Sequence, residues 1–187
     1  MKRILITLAV AFFTLCAFAQ NNAPAGMRME IVEIGEDQNQ SSIFTYKDED
    51  GTFGYYLSLG TETTILAIFQ DNGDGASSTF GFLDETCICM GATREEAFAT
   101  LDKLLALLDE EPGTTTEFTC RLSSGAEKLG GTSRALCMVS KPLLQSKRLS
   151  FLFQSGGGSA TAELTKSTIK SLRAGLELDQ RLHPNNK

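Results

Sequence analysis

An alternation of side chains between Phe53 and Gly60 constrains the fold most strongly. This segment reads FGYYLSLG, so that an aromatic or aliphatic residue stands at every second position. A period of two is typical of a β-strand with one buried face. Phe118–Leu122 alternates in the same way, and Ala135–Val139 and Leu149–Phe153 are further short apolar runs between polar turns. The chain is therefore predicted to form a sheet of several short strands.

Two helices are predicted beside these strands. Thr93 and Glu96 have the spacing of a capping box, and apolar residues recur every three or four positions from Ala97 to Leu108. A second helix is predicted over Ser159–Leu182. Because strands come in runs and helices are few, the predicted fold class is α+β. It has a mainly antiparallel sheet of about seven or eight strands, with two helices packed on one face. The order of elements suggests a duplicated strand-strand-helix unit, with repeats at 53–111 and 115–182.

The N-terminal residues predict export. Lys2 and Arg3 precede an apolar run, Ile4–Leu15, that is too short to span a bilayer, and Ala17–Ala19 supplies small residues for cleavage. We expect a periplasmic or secreted protein. The predicted segments are a signal peptide (1–19), a polar leader (20–26), a single globular domain (27–182) and a tail (183–187). No later segment has the apolar length of a membrane span.

The charge distribution argues against nucleic acid as a partner. Without residues 1–19 the chain carries 15 basic and 23 acidic residues, a net charge of −8. Residues 20–113 hold 4 basic and 18 acidic side chains, whereas residues 114–187 hold 11 basic and 5 acidic ones. The simpler interpretation is that the two halves attract each other across the fold. The alternative is that the basic half binds an anionic ligand.

Four cysteines follow the predicted signal peptide: Cys87, Cys89, Cys120 and Cys137. An even number in an exported chain is typical of disulfides. A Cys87–Cys89 bond is disfavoured, since Cβ atoms two residues apart on a strand lie about 6–7 Å from each other and a disulfide needs about 3.8 Å. The remaining pairings are 87–120 with 89–137, or 87–137 with 89–120. Buried free thiols, a metal site and a redox pair stay open, although the spacing matches neither C-x2-C zinc sites nor C-x-x-C redox motifs.

The sequence lacks the usual constellations of a catalytic or cofactor site. The single histidine, His183, lies in the predicted tail, which disfavours a Ser-His-Asp or Cys-His arrangement. Ser167 and Lys170 match S-x-x-K without its companion motifs. Gly156–Gly158 is followed by Ser159 rather than by the lysine of a phosphate-binding loop. We therefore predict no catalytic, cofactor-binding or metal-binding residues.

The favoured function is binding without catalysis. An exported α+β protein of the cell envelope or exterior would bind a protein or a small ligand through its sheet face or its loops. Tyr46, Tyr55 and Tyr56 are the candidate exposed aromatic residues of such a surface, and the hypothesis requires that they be accessible. The alternative is a small exported hydrolase that uses acidic residues or the Ser167–Lys170 pair.

Overall fold

The structure is a computed structural model of the chain. It describes residues 24–35, 40–60, 62–64, 67–71, 76–80, 85–123, 129–155 and 158–184. The predicted signal peptide and residues 20–23 of the predicted leader lie outside the described residues.

The described residues form eleven strands and two helices. The strands are β1 (Arg28–Ile34), β2 (Ser41–Lys47), β3 (Phe53–Leu59), β4 (Glu62–Thr64), β5 (Ala67–Asp71), β6 (Ala76–Phe80), β7 (Glu85–Gly91), β8 (Thr115–Ser123), β9 (Thr132–Ser140), β10 (Arg148–Ser155) and β11 (Gly158–Thr165). The helices are α1 (Arg94–Leu107) and α2 (Lys166–Leu182).

Nine of the strands form one sheet. Their order is β1-β2-β3-β7-β8-β9-β10-β11-β4, and every neighbouring pair is antiparallel. Strands β5 and β6 pair with each other in a separate two-stranded sheet. The predicted α+β class, with an antiparallel sheet and two helices, is confirmed.

The large sheet is curled. Helix α2 packs against β1 and β2 near one end of the strand order and against β11 near the other end, so the sheet bends around it. The approach to β1 is close at Gly175, where an added Cβ would lie 2.8 Å from Val32 Cβ. A glycine in the middle of this helix therefore has a packing reason, since any side chain would displace the strand.

Both helices contribute to one hydrophobic core. Leu101 and Leu104 of α1 are fully buried in it, as are Ile169, Leu172 and Leu176 of α2. The sheet contributes alternate residues, as the period of two predicts. From β2, β3 and β7 these are Ile43, Tyr55, Leu57, Leu59, Ile88 and Met90, and from β8 to β11 they are Phe118, Cys120, Ala135, Cys137, Val139, Leu149, Phe151, Phe153, Ala160, Ala162 and Leu164.

The N-terminus of α1 is the predicted capping box. The Glu96 N–H donates to Thr93 Oγ1 over 3.2 Å, and the Glu96 carboxylate accepts from the Thr93 N–H over 3.1 Å and from the Ala92 N–H over 2.6 Å. Gly91, with φ of +124°, lets the chain turn from β7 into this cap. The prediction from Thr93 and Glu96 is confirmed.

The predicted start of the second helix, Ser159, is wrong. Helix α2 begins at Lys166, after an N-cap at Thr165 that accepts from the Thr168 N–H over 3.2 Å. Residues 158–165 form strand β11, because buried and exposed side chains alternate there. The buried ones are Ala160, Ala162 and Leu164, and the exposed ones are Thr161 and Glu163. A period of two at the head of the segment signals a strand, and the period of 3.6 begins only after it.

Ion pairs join the acidic and the basic parts of the chain. Three of them connect a carboxylate before residue 113 to a cation after it: Asp48 with Arg121, Asp102 with Arg173, and Asp109 with Lys166. These contacts favour the simpler interpretation of the uneven charge, in which the two halves attract each other.

Candidate binding surface

The sheet has two faces, and the candidate site lies on the one that points away from the main core. We call this the outward face. It carries two regions of different character. The closed patch consists of Phe44, Tyr46, Tyr56 and Cys87 on β2, β3 and β7. The open patch consists of Leu136, Met138, Ser150, Leu152, Thr161 and Glu163 on β9, β10 and β11.

The three tyrosines are buried, so the predicted aromatic binding surface is wrong. Tyr55 belongs to the main core and is 1 % exposed, while Tyr46 and Tyr56 lie in the closed patch at 3 % and 6 %. Tyr56 stacks on Phe44 with ring centroids 5.5 Å apart and meets Tyr46 edge to face at 6.4 Å. Strands β2 and β3 are buried on both faces. The alternation of apolar residues indicated burial of the inward face but not of the outward one.

Arg121 covers the closed patch from β8 and uses all of its N–H groups. Nη1 donates to Asp48 Oδ2 over 2.7 Å and to Tyr56 Oη over 3.1 Å. Nη2 donates to Asp48 Oδ1 over 2.9 Å and to the Leu129 carbonyl over 3.0 Å, and Nε donates to the Gly130 carbonyl over 2.7 Å. The hydrogen bonds to Asp48 are the main cause that raises the pKa of Arg121. The guanidinium thus fastens two loops over the aromatic rings.

A second arginine closes the other side of the closed patch. The Arg28 guanidinium carbon lies 3.7 Å from the centre of the Phe44 ring, and Nη2 donates to Ser42 Oγ over 3.2 Å. Burial is the main cause that raises the pKa of Tyr56. The cations, rings and hydroxyls of this region are bound to one another, as expected of a structural cluster rather than of a ligand site.

The four cysteines are free thiols, and the predicted cross-links between Cys87 or Cys89 and Cys120 or Cys137 are not formed. Residues directly opposite each other in an antiparallel pair share a face. Ile88 of β7 lies opposite Cys120 of β8, so Cys120 shares the inward face of Ile88, and Cys137 lies in the same core. Cys87 and Cys89 lie in or against the closed patch instead. The structure therefore shows the alternative of unbonded thiols, with Cys89 half-buried and the others buried.

Burial also makes three of these thiols weak nucleophiles. Desolvation raises the pKa of Cys120 to about 11 and the pKa of Cys137 to about 12, and it raises the pKa of Cys89. Because the thiolate is the reactive form, thiols with raised pKa values are inert at neutral pH.

A buried polar cluster joins the two helices but lies apart from the open patch. Arg94 Nη2 donates to Asp179 Oδ2 over 2.9 Å, and Nη1 donates to the carbonyl of His183 over 3.1 Å. Burial is the main cause that raises the pKa of the Asp179 carboxyl. His183, predicted to lie in a frayed tail, is instead the C-cap of α2, with its imidazole 4.0 Å from the Asp179 carboxylate. The cluster ties the end of α2 to the start of α1.

The candidate pair Ser167 and Lys170 lies in the first turns of α2. Ser167 Oγ contacts Thr165 Oγ1 at 2.8 Å, and Lys170 is exposed. In the part of the chain that the structure describes, no three histidine, cysteine, aspartate or glutamate side chains converge on a possible metal position.

The open patch is the accessible part of the outward face. Leu136 and Met138 of β9 are each 42 % exposed. Leu136 lies opposite Leu152 of β10, and Met138 lies opposite Ser150. Over them is a cavity of about 620 Å³, lined by Ser41, Gly60, Leu136, Met138, Ser150, Phe151, Leu152, Thr161, Ala162 and Glu163. This volume is within the range of about 300–1,000 Å³ that small-molecule sites occupy.

The lining of the cavity combines apolar side chains with a few polar ones. Among the lining side chains that the structure describes, Glu163 is ionisable, and it forms an ion pair with Arg148. The Ser150 hydroxyl lies 2.8 Å from the Ser140 hydroxyl. Such a site suits an uncharged and largely apolar group that has a few hydrogen-bonding atoms.

Leu136 and Met138 were not identified as site residues from the sequence, although a signal was present. The run Ala135–Val139 contains no polar residue. A strand with one solvated face alternates apolar with polar side chains, so five consecutive apolar residues indicate an apolar outward face as well as an apolar inward one.

The sequence matches no protein-family model, and no significant match was found among curated proteins or solved structures. Neither helix of the described chain has the length and apolar character that a membrane crossing requires.

Proposed function

We propose that the protein is an exported, non-catalytic binding protein that takes an uncharged, largely apolar group in the cavity of the open patch. One observation carries the proposal. Two large apolar side chains, Leu136 and Met138, remain 42 % exposed and line a cavity on an outward face whose other region is closed. Contiguous exposed apolar surface in a cavity favours a binding role. Export rests on the N-terminal sequence, with its basic pair, short apolar run and small residues at 17–19.

Two finer features of the predicted fold belong to the same proposal. The position of both helices on the inward face is supported by their shared contribution to the main core, and it leaves the open patch uncovered. The duplicated unit is supported by element order alone, since α1 and α2 each follow a run of antiparallel strands.

The proposal is tested with an uncharged fluorescent probe, N-phenyl-1-naphthylamine, whose emission rises in an apolar site. We expect saturable binding to the wild-type chain and binding about tenfold weaker or more for Met138→Lys, because the new ammonium group would be desolvated in the cavity. Leu178→Lys is the matched control, since Leu178 is an exposed leucine of α2 outside the cavity. Equal affinity of the two variants, or no saturable binding to the wild-type chain even in dilute solution, would contradict the proposal.

A further inference from the structure

The loop between β9 and β10 presents two leucines to solvent. Leu143 is 89 % exposed and Leu144 is 98 % exposed, more than any other large apolar side chain in the described part of the chain. The other exposed apolar residues are Leu136 and Met138 on the outward face of β9, Met27 before β1, and Leu178 with Leu182, which lie one turn apart on α2. Two adjacent and almost fully exposed leucines form an apolar apex, which we call the leucine tip.

The backbone of the leucine tip is strained. Leu144 has φ of +62°, the one positive φ outside glycine among the described residues. The Gln145 N–H donates to the Pro142 carbonyl over 3.2 Å, so Leu143 and Leu144 are the central residues of a β-turn. The second central position with positive φ ordinarily holds glycine or asparagine. A leucine there gains no contact within the chain that offsets the strain, which favours a role outside it.

The tip stands on a fixed base. Lys147 Nζ donates to the carbonyl of Glu110 over 2.5 Å and to that of Asp109 over 3.4 Å, which pins the loop to the end of α1. The hydroxyls of Ser140 and Ser150, 2.8 Å apart, bridge the two strands next to the loop. The loop therefore holds the leucine tip in place on a sheet that is already formed.

The same two strands carry the cavity of the open patch on their outward face, so an apolar protrusion lies at the end of the strands that hold an apolar cavity. A two-fold axis can bring two complementary features of one molecule together twice, each tip with the other copy's cavity. We propose that the partner of the open patch is a second copy of this chain, whose Leu143 and Leu144 enter the cavity beside Leu136 and Met138. This inference rests on the proposed function, because it names the occupant of the same site.

The charges at the contact agree with a second copy. The exposed Lys141 precedes the tip, and Glu163, which also pairs with Arg148, is a carboxylate of the cavity, so a two-fold contact would place a lysine of each copy beside a carboxylate of the other. A lipid surface is the alternative occupant, because Lys141, Lys147 and Arg148 flank the leucines, and vesicle binding through the tip would favour it.

The proposal is tested by sedimentation equilibrium of four chains, each comprising residues 20–187. The tip variant is Leu143→Ser/Leu144→Asn, in which asparagine tolerates the positive φ of the turn. The cavity variant is Met138→Lys, and Leu178→Lys is the control. We expect a dimer for the wild-type chain and for the control, and dissociation constants raised about tenfold or more for the tip and cavity variants.

A mixture of the tip variant and the cavity variant makes the test specific. The tip variant has an intact cavity and the cavity variant an intact tip, so one contact can form between them. We expect the mixture to associate more tightly than either variant alone and less tightly than the wild-type chain. Association of the mixture no stronger than that of the separate variants would overturn the tip-in-cavity contact, as would a wild-type chain that is monomeric at its highest soluble concentration.

The outcome separates this inference from the proposed function. The tip variant has an unoccupied cavity and should bind N-phenyl-1-naphthylamine at least as tightly as the wild-type chain does. A monomeric wild-type chain whose cavity binds the probe would overturn the second copy and leave the binding function standing. A wild-type monomer that binds lipid vesicles through Leu143 and Leu144 would likewise overturn it, in favour of a membrane surface.

Discussion

The closed patch and the open patch lie on the same face of the same sheet, yet only one of them has a cover. Over β2, β3 and β7, Arg121 and Arg28 close the face, so Phe44 and Tyr56 are as buried as residues of the main core. Over β9, β10 and β11, Leu136 and Met138 stay half-exposed. The difference teaches that aromatic content does not locate the accessible apolar surface of this protein. The side chains of the first region are buried, and those of the second are accessible to solvent.

Replacement of Arg121 should cause the largest loss of unfolding free energy, because this residue closes the closed patch. In Arg121→Met the Asp48 carboxylate, the Tyr56 hydroxyl and two loop carbonyls lose their partner at once. Breaking a largely buried ion pair of this kind costs about 3–5 kcal/mol of unfolding free energy. Arg134→Met is the matched control, because Arg134 is exposed and contacts Glu117 alone among the described residues, and it should cost less than about 0.5 kcal/mol. Urea unfolding measures both, and equal losses would show that Arg121 does not close the patch.

Replacing one side chain in each patch with leucine compares how much the two patches contribute to stability. Phe44→Leu removes part of a ring that is fully buried between Arg28 and Tyr56, and it should cost about 1–2 kcal/mol of unfolding free energy. Met138→Leu conserves volume at a half-exposed position and should cost less than about 0.5 kcal/mol. A larger loss for Met138 than for Phe44, again by urea unfolding, would reverse the assignment of the two patches.

The inward thiols predict a decline of stability in alkali. The pKa of Cys120 is raised to about 11 and that of Cys137 to about 12 by burial, whereas unfolded thiols ionise near 9.0. Above pH 9 the unfolded chain releases these protons and the folded chain keeps them, so the free energy of unfolding falls as pH rises towards 11–12. Their contribution is fully present below pH 9.

Denaturant titrations from pH 8 to pH 11 measure this slope. Tyrosines and lysines also titrate in that interval, so the control is the Cys120→Ala/Cys137→Ala variant, which should show a shallower decline. Identical slopes for the two chains would mean that the thiols are not buried in the folded state.

The features confirmed from the sequence are those encoded by neighbouring residues. The capping box of Thr93 and Glu96 depends on three consecutive backbone units, and the strand at Phe53–Leu59 depends on its own alternation. The start of the second helix failed because strand β11 and helix α2 adjoin without a break at Thr165. In the sequence, the boundary is visible only as a change in the spacing of apolar residues, from every second position before Thr165 to every third or fourth position after it.

The site could not be predicted for a different physical reason. Tyr46 and Tyr56 are buried by Arg121, which lies 65 or more positions further along the chain. Cys87 and Cys120 point to opposite faces of the sheet. The reason is that Cys120 lies opposite Ile88, the residue after Cys87, and successive residues of a strand alternate between the faces. Long-range register decides which face a residue occupies, and a single residue of slip would invert every such assignment.

The most direct test of the account is hydroxyl-radical footprinting of the chain, at a concentration at which sedimentation shows a monomer. The measurement compares oxidation of the closed patch (Phe44, Tyr46 and Tyr56) with oxidation of the open patch (Leu136 and Met138), using the buried Met90 as an internal reference. The account predicts rapid modification of Leu136 and Met138, and protection of the three aromatic residues to the level of Met90. Rapid modification of Tyr46 and Tyr56 with protection of Met138 would contradict it.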